Sequence, residues 1–80
     1  MAGGLETVVM GDKQRREAVR LLIEIIRADS LVIAVKAGAR AEGFVLGLET
    51  TCALNKVAID QLYVIFGSAT EARLKFLTPI

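Results

Sequence analysis

The chain has 80 residues, 54% of them hydrophobic, with ten Lys and Arg against nine Asp and Glu for a net charge of +1. That length gives a single domain, residues 1–80, burying about 60–65% of its unfolded surface. The absence of His excludes His-dependent general base catalysis and His-ligated metal sites, and a single cysteine, Cys52, excludes a disulfide scaffold and fits a reducing, cytoplasmic setting.

Residues 1–4 are small and Gly-rich and read as a loose end. Residues 5–10, Leu-Glu-Thr-Val-Val-Met, are short and β-branched and predict a first strand. Gly11 and Asp12 punctuate it, with Asp12 as the expected N-cap of a helix over 13–28. That helix is the clearest element: Ala18, Leu21, Leu22, Ile25 and Ile26, with Val19, form an apolar stripe at helical spacing. Lys13, Arg16, Arg20, Glu24 and Arg27 fall opposite, where Arg20 and Glu24 can pair.

Asp29-Ser30 ends the helix, and the continuous apolar run of residues 31–35 predicts a buried central strand. Residues 36–43 read as a small, partly basic loop. Residues 44–54 fit either a helix, with Phe44, Val45, Leu48 and Cys52 on one face, or an alternating strand. A helix over 41–53 is favoured, because Gly43 and Gly47 share a face on which another element can pack closely. Residues 56–66 alternate as a long strand with both faces apolar, residues 67–70 make a tight connection, and residues 71–77 predict a last strand stopped by Pro79. The expected fold is therefore α/β, β-α-β-α-β-β, a four-stranded mixed sheet with two helices packed on it. A strand over 44–51 instead of a helix would give a ferredoxin-like or phosphocarrier-type sandwich.

Two basic clusters lie at the expected strand-to-helix connections: Lys13, Arg15 and Arg16, and Lys36 with Arg40. Parallel β-α units place both loops at one sheet edge, where these five residues are candidates for phosphate contacts in nucleic acid. Asp12 counts against such a site, since an N-cap carboxylate takes the N–H groups a phosphate would use.

The string Val8 to Lys13 leading into a helix resembles the opening of the Alba proteins, small chromatin and RNA-binding proteins of archaea. Residues 30–41 are similar to that family's second strand and basic loop, and residues 57–64 to its third strand. Lys13 and Arg40 match basic positions of the family, while Asp12 and Gly38 stand where two others would be. The short, uncharged Gly67-Ser68-Ala69-Thr70 replaces the family's long basic hairpin. The resemblance implies a nucleoid-associated, non-enzymatic dimer that contacts DNA or RNA weakly through Lys13, Arg15, Arg16, Lys36 and Arg40. It implies an interface on the second helix and third strand, with Phe44, Leu48 and Tyr63 as its residues.

A dimer is also expected from composition, because a lone chain has too little interior for this much apolar side chain. The alternative is an oligomerisation subunit that pairs with a more basic paralogue and binds nucleic acid weakly itself. No cofactor, metal ligand set or membrane segment is expected: the most apolar stretch, residues 21–35, is broken by Glu24, Arg27 and Asp29. Nothing before it has the layout of a signal peptide. Cys52 reads as a buried structural thiol with no base nearby, and no nucleophile–base or paired-carboxylate arrangement can be assembled.

Overall fold

In the computed structural model, which describes residues 4–79, three helices follow a short 3-10 turn at Leu5–Thr7. They are α1 (Asp12–Arg27), α2 (Leu31–Thr50) and α3 (Lys56–Leu77). Each start is written into the sequence. The Gly11 N–H donates to Gln14 Oε1 at 2.8 Å, closing the N-terminus of α1. Ser30 Oγ accepts from the Ile33 N–H at 3.2 Å ahead of α2, and Asn55 Oδ1 accepts from the Ala58 N–H at 2.8 Å ahead of α3.

The helix α2 stops in a Schellman turn, with the Ala53 N–H on the Leu48 carbonyl at 2.9 Å and the Cys52 N–H on the Glu49 carbonyl at 3.1 Å. Cys52 holds the left-handed position, with φ 55°, that glycine usually takes there.

The helices run up, down and up and share one core. Ala18, Leu21, Leu22 and Ile25 of α1 meet Ala37, Ala41 and Val45 of α2 and Ala58, Ile59, Leu62 and Phe66 of α3. Leu5 and Val8 are fully buried against them, so the segment before α1 contributes to the core. The inward face of α2 is built mostly of small residues, which brings its backbone close to α3. At the closest point, a Cβ on Gly38 would lie 2.7 Å from both Cγ2 and Oγ1 of Thr70.

These findings replace the expected α/β sandwich. No described residue lies in a strand. The expected strand over 5–10 is a 3-10 turn and extended chain, and those over 31–35, 56–66 and 71–77 are helix. The physical reason is capping and packing. Ser30, read as the end of the preceding helix, and Asn55 are N-caps, and the apolar residues after them also repeat at three and four positions. Asp12 is the first residue of α1 and Gly11 its N-cap. Helix 13–28 matches α1 closely, while the expected helix 41–53 is the second half of a longer one that also absorbs the expected loop 36–43. Gly43 and Gly47 face open space, with nothing within 4 Å of an added Cβ, so the close packing expected of them falls on Gly38. Residues 1–3, read as a loose end, lie outside the described residues. With the strands gone, the Alba-like architecture is excluded.

Candidate functional site

The helical bundle disperses the five basic residues that a sheet edge would have gathered. Lys13 and Arg16 stand on the first turns of α1. Lys36 lies beside its last turn, in a shallow groove of about 320 Å³ with Glu24, Arg27, Ala28 and Arg40. At 1.5 Å per residue these two locations are about 20 Å apart along the helix axis. Arg15 turns inward: Nη1 donates to the Leu5 carbonyl at 2.6 Å and Nη2 to the Val8 carbonyl at 2.7 Å. It pins the segment before α1 to that helix, so its charge is committed within the fold. Arg40 pairs with Glu24, which also accepts from Arg20, and Arg20 in turn holds Glu17. The bond from Arg20 keeps the Glu17 carboxyl below its ordinary range despite some desolvation.

Phe44 and Leu48 are half-buried and pack against the core from α2. Tyr63, on α3, is half-buried as well and donates its phenol O–H to Glu49 Oε1 at 2.9 Å. Burial, followed by that hydrogen bond and the negative charges of Glu49 and Glu42, pushes its pKa up from the ordinary value. These three residues therefore fasten α2 to the core and to α3.

The exposed apolar surface lies elsewhere. Between α1 and α3, toward the C-terminal ends of both, runs an apolar groove of about 580 Å³. Leu22 and Ile26 form one wall and Val64, Ile65, Ala69, Ala72 and Phe76 the other. Phe76 is 74% exposed, Val64 66% and Ile26 49%. The one charge in the groove, Arg73, is occupied: Nε donates to the Ala28 carbonyl at 2.7 Å, and the guanidinium lies 4.6 Å over the Phe76 ring.

Among the described residues no group of His, Cys, Asp and Glu could hold a metal ion. Cys52 is an exposed thiol at the α2–α3 turn, correcting the expectation that it is buried. Among the described residues no helix is long and apolar enough to cross a membrane. The groove was not visible in the sequence, where Val64 and Phe76 read as alternating strand residues. Their exposure as helix residues was signalled only by the apolar excess. Comparison with family models, with curated proteins and with solved structures finds no match for this chain.

Proposed function

We propose that this chain is a non-enzymatic helical association module that pairs with a second copy of itself through the α1–α3 groove. One observation carries the reading: Phe76 both lines the groove and projects from it, 74% exposed. A surface that holds a knob beside a hole of matching chemistry is self-complementary, which is what a two-fold interface requires. The only charge there is already satisfied by Ala28 and Phe76, so pairing leaves no unpartnered ion in the interface. Aromatic residues are favoured anchors at such interfaces.

Nucleic-acid contact has less support, because Arg15 points inward, Arg40 is paired, and Lys13 and Lys36 are far apart. Pairing with a paralogue would use the same groove. The exposed Cys52 thiol fits a reducing, cytoplasmic compartment.

Sedimentation equilibrium tests the reading. The wild type should fit a monomer–dimer equilibrium and Phe76→Asp should sediment as a monomer with unchanged helicity. A wild type that stays monomeric at the highest soluble concentration overturns it, as does an unaltered Phe76→Asp dimer.

A further inference from the structure

The first turn of α2 carries four large aliphatic side chains with little to cover them: Leu31 is 42% exposed, Val32 63%, Ile33 48% and Val35 55%, and of this run only Ala34 is buried. Successive helix residues are 100° apart, so Leu31, Val32 and Ile33 span more than half the circumference. A helix or strand packing from one side cannot cover all three. A surface into which the helix end dips can.

The charges around this end favour an anionic surface. Arg27 and Lys36 flank the aliphatic turn from α1 and α2. Arg73, held against the Ala28 carbonyl, lies beside it from α3. Asp29 opposes these three, while Glu42 and Glu71 share a groove with Val35 and Glu71 pairs with Lys75 at 3.5 Å. Glu24 lies nearby but is balanced by Arg20 and Arg40. A chain of net charge +1 thus concentrates positive charge where its aliphatic tip lies. Partial charges at the helix ends, about half a unit each, do not reverse that sign. Nucleic acid matches the cations alone, whereas a bilayer with anionic headgroups receives both the aliphatic tip and the cations beside it.

We infer that the tip formed by Leu31, Val32, Ile33 and Val35 docks onto anionic lipid bilayers, with Arg27 and Lys36 at headgroup level. This surface shares only Arg73 with the α1–α3 groove and does not depend on pairing there. Flotation with vesicles of equal parts phosphatidylglycerol and phosphatidylcholine, against pure phosphatidylcholine, tests it. The wild type should float with the anionic vesicles only, and should release as salt rises. Val32→Glu should abolish binding, and Lys36→Glu should weaken it about tenfold. Both sites are exposed, and unchanged circular dichroism confirms that the variants fold. Phe76→Gln, which removes the ring without adding charge beside Arg73, should bind as the wild type does, which separates this inference from the pairing reading. No binding to anionic vesicles, equal binding to neutral ones, full binding by Val32→Glu, or displacement of the protein from vesicles by duplex DNA would each overturn it.

Discussion

Alanine in place of Gly38 and alanine in place of Gly43 should move the stability of this bundle in opposite directions, although both lie on α2. A methyl group at Gly38 would sit 2.7 Å from Cγ2 and Oγ1 of Thr70 and 3.2 Å from its Cβ. Turning Thr70 does not relieve the clash, because both branches and the Cβ are close. Turning it also breaks the bond from Thr70 Oγ1 to the Phe66 carbonyl at 2.8 Å. The helices α2 and α3 must therefore move apart. Overpacking of this kind costs about 1–3 kcal/mol, against about 1 kcal/mol gained from replacing a mid-helix glycine.

The net effect of Gly38→Ala is thus a loss of up to about 2 kcal/mol, or up to roughly 8–16 °C in Tm for a domain of this size. At Gly43 an added Cβ meets nothing within 4 Å, so the full gain of about 1 kcal/mol appears as a rise of about 4–8 °C. Thermal unfolding followed by far-UV circular dichroism, at one fixed protein concentration, reads both. Adding Thr70→Ala to Gly38→Ala should return most of the loss. If Gly38→Ala stabilises as much as Gly43→Ala, the α2–α3 contact described here is wrong.

Three further predictions concern single side chains. Tyr63 is the only tyrosine and the chain has no tryptophan, so ultraviolet titration reports it alone. Burial and Glu49 raise its pKa, so its transition should lie above the ordinary value of about 10. Glu49→Gln should lower it part of the way. The folded pKa exceeds the unfolded one, so the linked stability is present below about pH 10 and is lost as pH rises through the folded value. Arg15→Met should cost about 2 kcal/mol by removing two charge-assisted bonds to the Leu5 and Val8 carbonyls. Hydrogen exchange should rise first over residues 5–8, and Arg15→Lys should recover less than half, since an ammonium lacks the fork. Cys52→Gly should stabilise by about 1 kcal/mol in urea denaturation, because Cys52 sits at φ 55° in the Schellman turn.

Helix α1 was legible in the sequence because its inward residues are large and its outward ones charged. Helix α2 was not. Its buried face is Ala34, Ala37, Gly38, Ala41 and Val45, small residues that leave a faint helical signal. Its exposed face carries Val32, Val35 and Leu46, so apolar residues fill both sides and imitate a buried strand. In α3 the inward set of Ala58, Ile59, Leu62 and Phe66 is overlaid by exposed Val57 and Val64, which creates the alternation read as strand.

The same exposed aliphatics hid the fold and supply the surfaces on which the proposed functions rest. The internal role of Arg15 had no sequence signal at all, since its acceptors are backbone carbonyls seven and ten residues away. The apolar excess was legible from composition. Its location required the helices.

The most direct test of pairing through the α1–α3 groove is an isotope-filtered NOE experiment on a mixture of labelled and unlabelled chains. Only contacts between different molecules survive the filter. Cross-peaks from the Phe76 ring to the methyl groups of Leu22, Ile26 and Ile65 are predicted. A dimer whose filtered peaks come instead from Leu46 or Val57, or a sample with no intermolecular peaks at concentrations where the chain is dimeric, would contradict it.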